Sequence, residues 1–229
     1  MTPIVTLFTF PPKPSSVHKP AEAGAIIAET PVLHGGGKKE SGMRATRGGL
    51  PDHIRPGVRI LFVGINPGLR SAAVGHHFAG YSNRFWKLLF DSGLVPERLT
   101  YLDDARLPEW GFGITNMVVR PSAGMDALKP ADYRHGLPRL LAKVRRYRPK
   151  VVALLGVTLY SVLFPDERSQ PLKRPGPPVR ARVGLQPSAL AGVRVFVLPN
   201  PSGRNAQYSY HQMRGVYAAL RKFMKSDVP

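Results

Sequence analysis

Four short apolar runs mark the chain after residue 50, and each has the length of one strand. They are VRILFV (58–63), GFGITNMVV (111–119), KVVALLG (150–156) and VRVFVLP (193–199). Apolar, β-branched residues that do not alternate with polar ones are typical of strands buried on both faces of a sheet. The pattern predicts four such strands.

Between the first two runs, SNRFWKLLFDSG (82–93) has the spacing of an amphipathic helix. Ser82 is a suitable N-cap and Gly93 a suitable end, because serine accepts from the free N–H groups and glycine tolerates the left-handed turn. The residues predicted to face the core are Phe85, Leu88 and Leu89.

Three further helices are predicted downstream. ADYRHGLPRLLAKVRRYRP (131–149) has Leu137, Leu140, Leu141 and Val144 inward, and its other face carries Arg139, Lys143, Arg145, Arg146 and Arg148. Pro138 is expected to start this helix proper or to kink it. VTLYSVLF follows the third strand, and the last helix spans about residues 207–224, with Met213, Tyr217, Leu220 and Met224 at helical spacing.

The alternation of apolar strands with amphipathic helices predicts the fold class. Such an order favours an α/β fold, a three-layer α/β/α arrangement with a mostly parallel central sheet covered on both faces. In these folds, ligands bind beyond the carboxyl ends of the strands. The loops that follow the strands are therefore where chemistry is expected.

Two segments lack this periodicity. Residues 1–50 contain six prolines and seven glycines and are expected to form a disordered basic tail, because they bury too little apolar surface to offset their ordering entropy. Residues 165–192 are rich in proline and basic residues and are expected to form an extended loop. The predicted organisation is thus a tail, 1–50, and one domain, 51–229.

Composition narrows the possible functions. Lysine and arginine total 33 against 14 acidic residues, and 16 of the 19 net positive charges belong to residues 51–229. This charge favours a polyanionic partner such as nucleic acid. The absence of cysteine excludes disulfides, thiolate catalysis and cysteine-held metal clusters. The N-terminal apolar patch has no basic residue ahead of it, so no signal peptide is expected.

Two turns leave strand ends abruptly, GINPG (64–68) and PNPSGRNA (199–206). Each alone is ordinary turn chemistry, since Asn, Pro and Gly are the usual turn formers. Neither turn matches a phosphate loop or a dinucleotide fingerprint. Both should open at the same rim of a parallel sheet, and that coincidence favours a site.

Five motifs occur in one order over about residues 50–224: GINPGLRSA, GHHFAG, NRFWKLLF, GITNMVVRPS and LPNPSGRNAQ. Together they resemble the mismatch-specific uracil-DNA glycosylase and thymine-DNA glycosylase family. The resemblance implies a uracil-DNA glycosylase-like α/β fold and removal of uracil, or in some members thymine or damaged pyrimidines, from DNA, chiefly opposite guanine. It also implies that the target base is flipped out of the duplex.

The resemblance assigns roles around the first turn. Asn66 matches the asparagine that positions the attacking water, and an amide there relies on positioning because it is no strong base. The backbone N–H groups of Ile65 and Phe78 would recognise uracil carbonyls, and the Phe78 ring would stack on the base. Gly64 and His77 would complete the substrate pocket. The alternative for Phe78 is a loop anchor.

Asn116, in TNMV, stands where the thymine-specific branch has asparagine and a bacterial uracil-specific branch has lysine. Its amide can both donate to and accept from the edge of uracil. The alternative is a strand-end cap.

The second turn resembles the segment that wedges into DNA. Arg204 stands where the thymine branch has arginine and another branch has leucine, and it would fill the gap left by the flipped base. Small residues and N–H groups nearby would approach the backbone. The predicted DNA-binding residues are Arg70, Asn200, Pro201, Ser202, Gly203, Arg204 and Asn205.

No metal and no cofactor are expected. The pair His76 and His77 invites a metal, but no His, Cys or carboxylate falls at ligand spacing in the sequence. A general base could come from one of several aspartates, although Asp103 and Asp104 fit caps or exposed charges better. The aspartates considered are Asp91, Asp103, Asp104, Asp126 and Asp132.

These features predict a monofunctional glycosylase that acts as a monomer on double-stranded DNA containing uracil or mismatches, with no membrane partner. It should leave an abasic site, because Lys87, the nearest lysine, fits a surface or phosphate contact better than a nucleophile. A cytoplasmic location is expected, on the nucleoid if the source is prokaryotic. The alternatives are a catalytically weak relative that only binds nucleic acid, and a hydrolase of free nucleotides.

Removal of the tail or of the 165–192 loop should weaken DNA binding if their cations contact phosphates. The slope of log K against log salt should then flatten by about 0.9 for every phosphate that is no longer bound. Binding isotherms of the full chain and the truncated chains over a salt series measure this, and an unchanged slope rejects the role.

Overall fold

One five-stranded sheet organises the chain in the computed structural model, which describes residues 49–165 and 183–226. The strand order is β2-β1-β3-β5-β4. All neighbours are parallel except the edge pair β4–β5. The strands are β1 (Ile60–Gly64), β2 (Phe112–Asn116), β3 (Val151–Leu155), β4 (Gly184–Leu190) and β5 (Val193–Leu198).

Helices cover both faces of this sheet. One apolar layer lies between the sheet and α2, α5 and a 3-10 helix, and a second lies between the sheet and α3 and α4. The predicted three-layer α/β/α fold is confirmed. The helices are α1 (Leu69–Val74), α2 (Phe85–Asp91), α3 (Pro130–Tyr147), α4 (Val157–Leu163) and α5 (Tyr210–Ser226), with 3-10 helices at Tyr101–Trp110 and Met125–Ala127.

The expectation of an extended loop over 165–192 is wrong in its last third, where β4 forms. This strand alternates exposed with partly buried positions and contains Pro187, so it lacks the apolar run that revealed the other four. Its register with β5 shifts between Leu185 and Ala189, on either side of that proline. Residues 166–182, and residues 1–48 of the predicted tail, lie outside the described residues, which all belong to one unit, Gly42–Pro229.

The α2 helix confirms the predicted core face but not its cap. Phe85, Leu88 and Leu89 are fully buried. The N-cap position is Arg84, whose side chain makes no capping bond, and the first helical N–H, that of Phe85, donates to the Asn83 side-chain oxygen at 2.9 Å. Ser82 is used differently, because it packs so closely on Gly203 that a Cβ added to that glycine would lie 2.3 Å from it.

The α3 helix begins at Pro130 and continues through Pro138, so of the two alternatives for Pro138 the one in which it starts the helix is wrong. Lys143 does not belong to the solvated face. Its ammonium pairs with Asp52 at 2.6 Å and donates to the Thr115 hydroxyl at 2.9 Å. This contact fixes α3 to β2 directly below Asn116.

Within the described ranges, the helices are all too short or too polar to cross a membrane.

Gly136 lets α3 approach the loop that leaves β2. A Cβ at this position would lie 2.4 Å from the carbonyl oxygen of Met117, which is backbone and has no freedom to move aside. Gly215, in α5, has open space around the same position. Both glycines lie in helices, and they differ in whether a side chain would fit, so alanine substitutions at the two positions can be compared directly.

We expect Gly136→Ala to lower the free energy of unfolding by about 1–3 kcal/mol, because overpacking outweighs the gain in helix propensity. Gly215→Ala should raise it by up to about 1 kcal/mol, since only propensity changes there. Urea unfolding of both variants measures the difference. Equal stabilisation by the two alanines would show that α3 has room to shift.

Candidate functional site

A cleft of about 830 Å³ opens at the carboxyl ends of the parallel strands. Both turns singled out in the sequence line it, as does Asn116 at the end of β2. All predicted site residues line the cleft except Pro201. That residue is buried, and its carbonyl accepts from the Arg84 N–H at 2.9 Å, which ties the second turn to the start of α2.

The register of the central strands sets the floor of the cleft. Gly64 and Asn116 are the last paired residues of β1 and β2, so the two strands end at the same level of the sheet. A Cβ on Gly64 would lie 2.5 Å from the Asn116 side-chain oxygen and 3.3 Å from the Phe78 ring. Only glycine leaves room for both side chains here.

Asn66 has its amide orientation fixed from within the protein. Its Nδ2 donates to Ser122 Oγ at 2.8 Å, to Pro67 O at 3.0 Å and to Arg120 O at 3.3 Å. The Ser122 hydroxyl in turn donates to Gly124 O at 2.6 Å, so its lone pairs face the Asn66 nitrogen. The amide oxygen is left as the acceptor, with no hydrogen bond to another described residue.

Phe78 holds a backbone conformation that side chains seldom adopt, with φ of 52°. The flanking peptides are held on both sides: His77 N donates to Asp104 at 2.8 Å, and Trp86 Nε1 donates to His77 O at 3.2 Å. Ala79 N donates to the Ser71 hydroxyl at 3.0 Å. Such surrounding bonds are what sustain a strained residue.

The N–H groups of Ile65 and Phe78 bond to none of the described residues, although both residues line the cleft. The Phe78 ring packs on Phe85 with centroids 4.4 Å apart, so it is anchored to the core on one side. Phe78 therefore does anchor its loop to the core, as the alternative proposed, and it also forms part of the cleft wall.

His77 is buried beside Asn116. Its Nε2 lies 2.9 Å from Pro51 O, which requires a proton on that nitrogen, and its Nδ1 lies 3.4 Å from Asn116 Nδ2. Burial lowers the pKa of the His77 imidazole, against the opposing effects of Pro51 O and the Asp104 carboxylate. Neutral His77 therefore accepts at Nδ1 from the Asn116 amide nitrogen, which fixes the Asn116 amide.

Asp104 supports this arrangement from below and is neither a cap nor an exposed charge, contrary to expectation. It is 1% exposed and accepts from His76 Nδ1 at 3.0 Å and from His53 Nε2 at 3.4 Å. Burial alone would raise the pKa of this carboxyl, but the bonds from His53, His76 and the His77 N–H hold the pKa well below its usual range.

The sequence offered His77 no second metal ligand at the usual spacing, but the fold places a histidine and a carboxylate beside it. Ligand atoms of His53, His77 and Asp104 lie within 4.8 Å of one another. Their hydrogen bonds account for the arrangement: each imidazole proton has an acceptor, and the carboxylate has three donors. The cluster therefore works as a hydrogen-bonded support for the cleft wall.

The second turn is held by its own side chains. Asn200 Oδ1 accepts from Ser202 N at 3.0 Å, and Asn205 Nδ2 donates to Asn200 O at 2.9 Å. The small size of Gly203, predicted to allow DNA backbone to approach, is also required by its packing on Ser82.

The two predicted DNA-contacting arginines both line the cleft. Arg70 donates from Nε to Ala79 O at 2.7 Å, and its guanidinium lies over the exposed Tyr81 ring, 3.7 Å from the centroid. The Arg204 guanidinium donates to Ala123 O, so it bridges the second turn and the segment that follows Ser122.

Most of the candidate aspartates are bonded elsewhere. Asp91 accepts from Lys87 and Tyr210, Asp103 caps the 3-10 helix through Thr100, and Asp132 pairs with Arg120 at 2.6 Å. The hydrogen bond from Arg120 holds the pKa of Asp132 at about 2. Asp126 alone among these aspartates lines the cleft, and it is exposed.

The supporting roles of three residues could not be recognised from the sequence: Ser122 and His53 carried no signal, and Asp104 was expected to be a cap or an exposed charge. Ser122 was visible in the motif GITNMVVRPS but has no chemistry of its own, so nothing in the sequence singled it out. Asp104 lies 27 residues beyond His77 in the chain, and His53 belongs to a segment ahead of β1. Only the fold brings His53, His77 and Asp104 together. Spacing carries no signal for contacts of this kind.

Comparison with known proteins places these features in a family. The sequence model of the uracil DNA glycosylase superfamily matches residues 51–222. The G/U mismatch-specific uracil DNA glycosylase of Schizosaccharomyces pombe is 36% identical over 172 residues, which are 74% of this chain and 51% of that protein. The chain thus spans about half the length of that curated relative.

Among solved structures, the solution NMR structure of a candidate uracil DNA glycosylase from Methanosarcina acetivorans is similar. It matches with a TM-score of 0.47 and 15% identity, covering 78% of this chain and 98% of that chain.

The lowered pKa of His77 makes stability depend on pH. Unfolded histidine titrates near 6.5, so the unfolded chain binds more protons than the folded one as pH falls through this value, and the free energy of unfolding falls with it. His77→Gln should remove this dependence, flattening the slope by at most about 1.4 kcal/mol per pH unit.

Urea unfolding between about pH 5 and pH 7.5 measures the slope. The control is His211→Gln, a change of the same kind at an exposed position, which should leave the slope as it is in the unmodified protein. A His77→Gln slope equal to the control's would contradict the buried neutral imidazole.

Proposed function

The chain belongs to the uracil DNA glycosylase superfamily, and we propose that its cleft hydrolyses the N-glycosidic bond of uracil in DNA, chiefly where uracil faces guanine. The name of the Schizosaccharomyces pombe relative supports this choice of substrate. The observation that carries the proposal is the orientation of Asn66, whose amide nitrogen is bonded inside the protein and whose oxygen is left to accept.

The base would be held by backbone donors. The N–H groups of Ile65 and Phe78 have no acceptor among the described residues, and the carbonyl oxygens of a pyrimidine would supply one. The Phe78 ring, fixed by Phe85, offers a flat face for stacking, a contact worth about 1–3 kcal/mol. The strain at Phe78 is sustained because it holds both the ring and the N–H in place.

Asn116 would read the remaining edge of the base. One of its Nδ2 protons is directed to His77 Nδ1, which leaves the second proton and the amide oxygen. A donor beside an acceptor complements O4 and N3–H of uracil or thymine, whereas cytosine presents the reverse pattern. His77 thereby fixes the sense in which Asn116 discriminates.

Water would attack from the Asn66 side. The Asn66 amide oxygen accepts a hydrogen bond from the water and directs the water oxygen to C1′, where the C–O bond forms as the bond to N1 breaks. The electron pair leaves on uracil as an anion, stabilised by the N–H groups of Ile65 and Phe78. The water proton passes to solvent. Because an amide is no strong base, bond breaking has to run ahead of water attack.

Strand cleavage is not part of the proposed reaction. A lysine that attacks C1′ must be neutral, and the hydrogen bond to Asp91 raises the pKa of Lys87. Lys143 is likewise paired, with Asp52. Both lysines are better suited to holding structure than to forming a Schiff base.

DNA would lie across the lips of the cleft. Arg204 would leave Ala123 O and occupy the space of the flipped base, while Arg70 and the second turn contact the backbone. Arginine suits this position because its fork can bond phosphate or guanine.

We expect Asn66→Ala to lower the single-turnover rate of uracil release from G·U duplex by at least about 100-fold, since the water loses its acceptor. DNA affinity should stay within about threefold, because the backbone contacts are untouched. Ser122→Ala is the matched control: it removes one of the three acceptors of the Asn66 amide nitrogen and keeps the amide itself, so a smaller loss, roughly tenfold, is expected. Full activity in Asn66→Ala would refute the assignment.

Release of base from uracil in single strands, in A·U, G·U and G·T duplexes and in free deoxyuridine separates the alternatives. A glycosylase of the proposed kind prefers the G·U duplex. Activity on free deoxyuridine alone would indicate a nucleotide hydrolase, and binding without release in any substrate would indicate a silent relative.

A further inference from the structure

A cluster of cations lies on the second half of α3 and just beyond it. Its members are exposed, and none of them forms an ion pair with a described acidic residue. The Arg146 guanidinium lies over the Tyr147 ring at 5.4 Å. We call this cluster the α3 basic patch; it consists of Arg139, Arg145, Arg146, Arg148 and Lys150.

Two arginines line the cleft, and both side chains are already hydrogen-bonded within the protein. Arg70 donates to Ala79 O and Arg204 to Ala123 O. Among the described residues, cations without an ion-pair partner are densest at residues 139–150, which hold the five members of the patch; a second group, Arg214, Arg221, Lys222 and Lys225, lies on α5. A partner rich in negative charge would find its densest group of free counter-charges on α3.

The topology places the patch and the cleft at opposite ends of the sheet. The α3 helix follows β2, whose carboxyl end lines the cleft, and leads into the amino end of β3. Its 18 residues make a helix about 27 Å long, so its last turn lies far from the rim. At that end, Arg145 and Arg148 line a recess of about 360 Å³ together with the turn Ala191–Gly192.

A single short duplex cannot serve both places without deformation. DNA bends over such short lengths only at a cost of several kcal/mol, and a straight duplex across the cleft leaves the other end of the sheet uncovered. Arginine forks match phosphate oxygens in geometry as well as in charge. The patch is thus suited to phosphates of a separate segment.

We propose that the α3 basic patch is a second DNA-binding surface, which holds the backbone of a duplex segment other than the one in the cleft. It would read no sequence, because guanidinium–phosphate contacts position DNA without specifying bases. Its effect would be to keep the protein on DNA while the cleft samples another segment. The inference does not depend on which base the cleft removes.

Two triple variants of the full chain separate clustering from total charge. The patch variant is Arg139→Gln/Arg145→Gln/Arg146→Gln, and glutamine keeps the helix propensity of arginine. The matched control is Arg98→Gln/Arg134→Gln/Arg214→Gln, which removes the same charge from exposed arginines that are scattered over the surface. Thermal unfolding verifies that both triples fold.

The decisive measurement is the number of undamaged duplexes of roughly ten base pairs, about one helical turn, that bind each chain in sedimentation experiments. The unmodified protein and the scattered control should bind two, and the patch triple one. Affinity for the second duplex should fall at least about tenfold, and its salt slope should flatten by about 0.9 for every phosphate that is no longer bound. Uracil release from a short G·U duplex should stay within about twofold in all three.

Two results would overturn the proposal: binding of only one duplex by the unmodified protein, or of two by the patch triple with unchanged affinity. Loss of RNA or polyglutamate binding in the patch triple, with DNA binding kept, would assign the surface to another polyanion and would also overturn it. Failure of uracil release in all three proteins, with two duplexes bound by the unmodified protein and the scattered control and one by the patch triple, would refute the proposed function and leave this surface standing.

Discussion

The register between β1 and β2 is the constraint on which the cleft depends. Because Gly64 is paired with Asn116, two strands end at one level, and the next residues of each continue the pairing through Met117 N to Gly64 O and Val118 N to Ile65 O. A slip of one residue would turn Asn116 to the opposite face of the sheet. Asn66 and Ser122 follow on these same two connections, so their mutual distance is inherited from the same register.

The fold and the cleft lining were largely predictable, because buried strands and Asn-Pro-Gly turns carry local signals. The features that could not be predicted share one cause: each depends on contacts with residues far away in the chain. Ser82, the predicted cap of α2, instead packs on Gly203 from a distant turn, and the Phe85 N–H donates to Asn83. The edge strand β4 needs only half of its surface covered and so lacks an apolar run. The residues next to Asp104 in the sequence suggest a surface charge, but in the fold its carboxylate is buried and accepts from the His53 and His76 side chains and the His77 N–H.

The carboxylate and the amide of the site have different roles. The buried carboxylate of Asp104 lies beneath the cleft wall and accepts from the His77 N–H, whereas Asn66, which lines the cleft, has a neutral amide. A carboxylate at the position of Asn66 would activate water more strongly, but it would also add charge beside a departing anion. Placing the charge one layer back gives the wall rigidity without that repulsion.

The bond from Arg204 to Ala123 O has a kinetic meaning. The donor is a charged guanidinium, so a hydrogen bond of this kind is worth about 1.5–3 kcal/mol, which shifts a population by roughly tenfold or more. The side chain therefore spends most of its time folded against its own protein, yet the two parallel bonds that a guanidinium makes to one phosphate are enough to draw it away. An insertion residue balanced in this way costs the protein little to keep at rest and little to release, so it need not obstruct a protein that moves along intact duplex.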